Sequence, residues 1–136
     1  MHIFVTGGTG FIGKALCAEL CRRGEQVTVL SRRPDTVAQR IGLPVEATAS
    51  PDYLRDHAVD VVINLAGVPI ADRRWTNARK QQLYASRVTL TRRLVDAIAA
   101  APQPPRVLVS ASAVGYYGDG GNQPLDEAGR VHPEYS

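Results

Sequence analysis

Apolar and polar positions follow a repeating rhythm along the chain. Short runs rich in β-branched residues alternate with segments whose apolar residues recur every three or four positions, the pattern of βα units around a parallel sheet. His2 to Thr6 predicts a buried strand that ends abruptly at Gly7-Gly8-Thr9-Gly10. From Phe11 to Arg23, Ile12, Leu16 and Leu20 recur at four-residue intervals with Ala15 and Cys17 beside them, which predicts a helix with one buried face; Gly24 suits a left-handed cap. Gln26 to Leu30 predicts a second strand, and Pro34 suits the first turn of a helix running to about Ile41. Pro44 to Thr48 predicts a short third strand, and Ser50-Pro51-Asp52 caps a short helix to about Arg55 or Asp56. Val59 to Asn64 is a near-continuous β-branched run, as expected of a strand covered on both faces. After a loop from Gly67 to Arg74, the apolar stripe of Leu83, Val88, Leu90, Leu94, Val95 and Ile98 predicts one long helix over about Asn77 to Ala100, ended by Pro102-Gln103-Pro104-Pro105. Arg106 to Ser110 predicts the fifth strand, and residues 115–136 show no periodic apolar pattern and read as mostly irregular.

Composition narrows the class. The 136 residues are 44% hydrophobic and 21% charged, the balance of a single soluble globular domain over residues 1–136. Its apolar runs, such as Val59 to Gly67, fall well short of the ~20 residues of a membrane-spanning helix. No basic leader precedes an apolar stretch at Met1-His2-Ile3-Phe4-Val5, so the expected location is the cytoplasm. The net charge is only +3 and the arginines are scattered; Arg73-Arg74-Trp75 alone hints at a basic and aromatic surface, so no nucleic-acid partner is expected. Cys17 and Cys21 share a helical face without further Cys or His nearby, which points to reduced thiols packed as small apolar groups and to no metal site.

Chemistry concentrates at Gly7-x-x-Gly10-x-x-Gly13, directly after a strand and opening a helix. Such spacing lets the chain reverse sharply, lets the backbone approach a pyrophosphate, and lets the helix pack closely on its strand. Free amides and the positive end of the helix dipole then face the phosphates. An NAD site usually carries Asp or Glu at the end of the second strand to bind the ribose 2′-hydroxyl. Here the segment reads Leu30-Ser31-Arg32-Arg33, with no carboxylate before Asp35. Arg32 offers a forked donor to a 2′-phosphate and Ser31 a hydroxyl beside it, which favours NADP(H) over NAD(H).

Thr6-Gly7-Gly8-Thr9-Gly10-Phe11-Ile12-Gly13 resembles the cofactor turn of extended short-chain dehydrogenases/reductases, and Asn64-Leu65-Ala66-Gly67 resembles their Asn-x-Ala-Gly element. Three further stretches resemble the atypical, epimerase-like branch known as NAD-dependent epimerase/dehydratase: Pro69 to Thr76, Ser86-Arg87, and Ser110-Ala111-Ser112-Ala113-Val114-Gly115-Tyr116-Tyr117-Gly118. The resemblance covers essentially the whole chain. It implies an α/β, Rossmann-type, doubly wound parallel sheet in three layers with strand order 3-2-1-4-5, truncated before a sixth strand and a substrate-binding part. It also implies that Gly7, Gly10, Phe11, Ile12 and Gly13 line the pyrophosphate, that Arg32 with Ser31 serves NADP, and that Leu65, Ala66 and Gly67 pass beside the adenosine ribose. Ser110 and Ser112 lie where the family carries its active-site serine, Ser112 aligning better. Tyr116, Tyr117 and Trp75 would be pocket walls, with core packing equally open to Trp75.

The superfamily's Tyr-x-x-x-Lys pair would be expected about where residue 136 is reached; the resemblance implies a branch that generally does not keep it and puts Tyr135 just before that site, so Tyr135 is not assigned as proton donor. Two readings therefore stand side by side. One is the NADP(H)-binding domain of an epimerase-like oxidoreductase acting on a carbonyl or nucleotide-sugar substrate. The other is a non-catalytic NADP(H)-binding module, a redox sensor or protein partner. A fifth strand left at the sheet edge would in either case invite self-association.

Overall fold

Five parallel strands form one sheet in the computed structural model, which describes residues 1–118 together with 121, 122, 124 and 126. They are β1 (His2–Thr6), β2 (Gln26–Leu30), β3 (Glu46–Thr48), β4 (Val61–Asn64) and β5 (Val107–Ser110), in the order β3-β2-β1-β4-β5. This is the expected doubly wound order. The chain steps outward from β1 through β2 to β3, then crosses back to start β4 on the other side, so the switch point lies between β1 and β4. Thr6 pairs with Leu30 on one side and Asn64 on the other, which brings the carboxyl ends of three strands level.

Side chains of β1 alternate between two cores, as the two-residue period of a strand requires. Ile3 and Val5 join Val27, Val29, Cys17 and Val37 under α1 (Phe11–Arg22) and α2 (Val37–Ile41). Phe4 points the other way, into a second core with Val62, Val59, Leu54, Leu94 and Ala97 under α3 (Tyr53–Asp56) and α5 (Leu90–Ala99). Phe4, Val5, Val29 and Val62 are fully buried, which explains the unbroken apolar runs of the central strands. The result is the three-layer sandwich.

The helices depart from expectation in two places. The buried positions of α1 are Gly13 and Cys17, with Leu20 and Cys21 packed at the margin, whereas Ile12 is 65% exposed. Gly13 is the reason: a side chain there would strike Gly7, so the helix presses its bare backbone onto the turn and rotates Ile12 outward. The long helix is not continuous. α4 (Asn77–Tyr84) and α5 are joined by a π-helical turn over Ala85–Thr89. One extra residue enters that turn, so the apolar stripe slips: Leu83 and Leu94 are buried while Val88 and Val95 are exposed.

The edge strand β5 pairs with β4 alone among the described residues, and Val107, Leu108 and Val109 remain about half exposed. Beyond it, a 3-10 turn spans Val114–Tyr117. Tyr135, and most of the segment 115–136 expected to be irregular, lie outside the described residues.

Candidate functional site

The three spaced glycines at the β1–α1 junction, Gly7, Gly10 and Gly13, have different physical tasks. Gly7 adopts a positive φ of 73°, and a Cβ there would sit 2.7 Å from the carbonyl carbon and oxygen of Leu65. A Cβ on Gly13 would lie 2.2 Å from the Gly7 oxygen. Both positions therefore answer to the chain's own packing. Gly10 is different: its φ of −79° is open to any residue, and the Gly7 oxygen at 3.2 Å is the nearest neighbour a methyl would meet. Gly10 N–H donates to Gly7 O at 2.9 Å and closes the turn.

Gly10 is the N-cap of α1, and no side chain caps it. The amides of Phe11, Ile12 and Gly13 belong to the first turn, which has no intrahelical acceptors to offer them. Phe11 is 97% exposed, so nothing in the described chain covers this helix end. An open amide cluster at the positive pole of a twelve-residue helix favours an anion.

Two segments flank the turn. At the end of β2, Ser31 N–H donates to Thr48 O at 2.9 Å, and Ser31 Oγ accepts from Arg33 N–H at 3.1 Å. Arg32 is exposed, and no ion pair or hydrogen bond holds its guanidinium among the described residues. On the other side, the exit of β4 is bound to the end of β1. Leu65 N–H donates to Thr6 O at 3.2 Å, and Ala66 N–H donates to Thr6 Oγ1 at 3.0 Å. Gly67 completes this segment; a Cβ there would lie 3.0 Å from the Arg87 guanidinium carbon. The structure thus brings Gly7, Gly10, Phe11, Ile12, Gly13, Ser31, Leu65, Ala66 and Gly67 to the carboxyl end of the sheet around the switch point, with Arg32 at its rim.

Asn64 is the hub beneath them. It is buried, its Oδ1 accepts from Thr6 Oγ1 at 2.6 Å, and its Nδ2 donates to Thr91 Oγ1 at 3.1 Å and to Ser110 Oγ at 3.2 Å. That last bond separates the two candidate serines: Ser110 is engaged in joining β5 to β4. Ser112 is exposed in the segment after β5, and among the described residues no hydrogen bond holds its hydroxyl.

The loop between β4 and α4 is held by a residue the sequence does not single out. Arg79 is 8% exposed and donates through Nη2 to Pro69 O and Asp72 Oδ1, and through Nη1 to Gln82 Oε1 at 3.2 Å. Thr76 caps α4 by accepting the Arg79 N–H at 3.2 Å. Trp75 donates its indole N–H to Ile70 O at 3.0 Å and is 57% exposed, so it is not a core residue. The rings of Tyr116 and Tyr117 meet edge to face at 5.1 Å. No group of three or more His, Cys, Asp or Glu gathers among the described residues. Burial pushes the Cys17 thiol up to about 11, with nearby Cys21 adding to it, which makes Cys17 a packing group at neutral pH.

Comparison with known proteins agrees with this geometry. The model of the NAD dependent epimerase/dehydratase family matches residues 3–135. The epimerase family protein YfhF of Bacillus subtilis is 40% identical over 121 residues, covering 87% of this chain and 39% of that protein. The human epimerase family protein SDR39U1 is 38% identical over 126 residues, covering 86% of this chain and 38% of its own length. Its crystal structure with NADPH superposes with a TM-score of 0.70. A UDP-galactose 4-epimerase structure superposes with a TM-score of 0.79 at 25% identity, covering 98% of this chain and 45% of that one. The chain thus spans about two-fifths of the curated relatives it matches. With a family match over nearly every residue and the matching sheet order, the chain belongs to the NAD-dependent epimerase/dehydratase family.

Proposed function

We propose that residues 1–136 are the NADP(H)-binding domain of an epimerase-family oxidoreductase acting on a carbonyl or nucleotide-sugar substrate. The β1–α1 junction carries this reading: a helix N-terminus with no side-chain cap, opened by a glycine at the N-cap and exposed at Phe11. A diphosphate fits there because it accepts from several amides at once. Phe11, Ile12 and Gly13 would offer those amides, with Gly10 shaping the turn through its own N–H to Gly7 O, while Leu65, Ala66 and Gly67 would border the adjoining ribose. Arg32, without a partner among the described residues, favours a 2′-phosphate over a bare hydroxyl, since a guanidinium binds phosphate through two parallel hydrogen bonds. The related human protein crystallised with NADPH supports the same choice.

When bound, a nicotinamide coenzyme supplies hydride transfer. The chain's own contribution at the reacting end would be Ser112, whose hydroxyl, exposed and without a hydrogen bond among the described residues, is suited to orient a substrate oxygen. Relatives named as epimerases, and the UDP-galactose 4-epimerase likeness, support a nucleotide-sugar class. No helix among the described residues is long and apolar enough to cross a membrane, and both cysteines are free, which suits the reducing cytoplasm.

Calorimetric titration of the 136-residue chain with NADPH and with NADH tests the reading. We expect NADPH to bind more tightly, and Arg32→Ala to weaken NADPH by about tenfold or more, the scale of one charged hydrogen-bonded contact, while leaving NADH unchanged. Equal losses for both coenzymes would overturn the NADP assignment, and no heat with either would overturn the domain's function. Ser112→Ala, in a protein that turns over substrate, is expected to lower kcat. Coenzyme binding by a full-length chain that turns over neither carbonyl nor nucleotide-sugar substrates would favour a non-catalytic module.

A further inference from the structure

Val68 stands at the exit of β4, and both of its backbone groups are held by consecutive side chains of the π-helical turn. Its N–H donates to Ser86 Oγ at 3.2 Å, and its carbonyl accepts from Arg87 Nη2 at 3.0 Å. The Ser86 hydroxyl donates in turn to Leu83 O at 3.0 Å, and Arg87 Nη1 lies 3.4 Å from the same hydroxyl. An ideal Cβ on Gly67 would stand 3.0 Å from Arg87 Cζ and Nη2 and 3.3 Å from its Nε, so the guanidinium lies directly against the bare residue. From the opposite side, Thr6 holds Leu65 and Ala66, and Gly7 has no room for a side chain beside them. Segment 65–68 is therefore gripped between the glycine turn and Arg87.

We infer that Arg87 is a positioning residue for the coenzyme site, and that Gly67 is a glycine to admit the Arg87 guanidinium rather than to admit the coenzyme. The π turn serves this arrangement. On an unbroken α-helix, residues 79 and 87 would stand about 80° apart around the axis; the widened turn reduces that offset. The two arginines then take the successive carbonyls of Val68 and Pro69. The inference rests on the coenzyme reading above for its consequence in binding, but the Gly67–Arg87 contact exists without any ligand.

A double-mutant cycle separates the alternatives. Gly67→Ala, Arg87→Ala and the double variant are measured for NADPH dissociation constant and, without coenzyme, for melting temperature. A methyl against a held guanidinium is an overpacking defect, so Gly67→Ala is expected to weaken NADPH by about tenfold and to lower the melting temperature. In the Arg87→Ala background the same change is expected to cost less than about twofold, because its obstacle is gone. Gly67→Ala with Arg87→Lys should also bind NADPH better than Gly67→Ala alone, since a slender ammonium still reaches Val68 O without a flat group under residue 67. An equal loss from Gly67→Ala in both backgrounds would overturn the inference and assign Gly67 to ligand contact. If wild-type chain bound no coenzyme, the functional reading would fail while coupling in the ligand-free melting temperatures still decided the Gly67–Arg87 contact. If Arg87→Ala does not fold, Arg87→Lys replaces it as the second background; if Gly67→Ala folds only together with an Arg87 substitution, that rescue itself supports the contact, and failure to fold in every background would overturn it.

Discussion

Gly10 and Gly13 differ by three positions, yet alanine at each should damage a different property. In Gly13→Ala the new methyl meets the Gly7 oxygen at 2.2 Å, the Gly8 Cα at 2.7 Å and the Gly7 carbonyl carbon at 2.9 Å. All three are backbone atoms, so no side chain can swing aside. Since comfortable contacts between heavy atoms begin above about 3 Å, α1 must retreat on the order of 1 Å from the turn. Overpacking of this kind typically costs about 1–3 kcal/mol, and three backbone contacts put this one near 3 kcal/mol. Alanine returns up to ~1 kcal/mol of helix propensity, leaving a net loss near 2 kcal/mol. For a chain of this length that corresponds to roughly 6–10 °C in melting temperature.

Gly10→Ala meets only the Gly7 oxygen, at 3.2 Å, from a backbone conformation alanine adopts freely. Its stability cost is that of exchanging glycine for alanine at an N-cap, about 0.5–1 kcal/mol, or roughly 2–5 °C. Its methyl, however, is added at the N-cap beside the first-turn amides proposed to hold the diphosphate, and NADPH affinity should fall at least tenfold, or about 1.4 kcal/mol. Thermal unfolding by circular dichroism, paired with calorimetry below both transitions, reads the two quantities separately. If Gly10→Ala melted as early as Gly13→Ala, or bound NADPH like wild type, the division of labour drawn from the geometry would be wrong.

Further expectations concern stability, reactivity and association. The Asp60 carboxylate accepts from His2 N–H at 2.8 Å and from Arg106 Nη2 at 3.2 Å, which holds it below its ordinary value of 3.8. A depressed carboxylate stabilises the fold above the unfolded value and loses that contribution as pH falls through the folded one. Asp60→Asn should therefore lower the melting temperature at pH 7, with the gap closing below pH 3.8; a gap constant from pH 6 to 2 would refute this. A thiol-specific reagent at pH 8 should modify the partly buried Cys21 first. Cys17, fully buried and with its thiol pushed up to about 11, has a thiolate fraction of about one in a thousand; simultaneous modification of both in folded protein would contradict its packing. The half-exposed Val107, Leu108 and Val109 on an edge strand should drive concentration-dependent self-association in sedimentation, reduced by Val109→Lys; a monomer at all concentrations would refute it.

What could be read from the chain beforehand was whatever depends on near neighbours. β1, β2 and β4 are covered on both faces, so their apolar runs announce them, and only the first residues of the run at Val59 fall outside the strand. Gly24 closes α1 with a positive φ of 76°, a local steric demand that a lone glycine reveals. Ile12 was misassigned to the buried face for a non-local reason: helix periodicity alone cannot register that Gly13 lies flat against Gly7. A π turn leaves no periodic mark of its own, so Val88 and Val95 still scan as part of a stripe that the folded helix has already shifted. Arg79 is still less visible, because a buried arginine in a polar helix looks like any solvated cation until Pro69 and Asp72 close on it.

The site divides along the same line. Spacing identifies three glycines as a set, but their roles separate only when each missing Cβ is tested against what surrounds it. By that test Gly7 yields to Leu65, Gly13 to Gly7, and Gly67 to Arg87, while Gly10 meets a single atom, the Gly7 oxygen at 3.2 Å. Three of the four are thus demanded by the chain itself, so a glycine in a cofactor motif is as much a record of close internal packing as of a ligand. The proposed diphosphate contact most sensitive to a single methyl is then the one at the N-cap of α1, where no side chain caps the helix and its first-turn amides lack intrahelical acceptors.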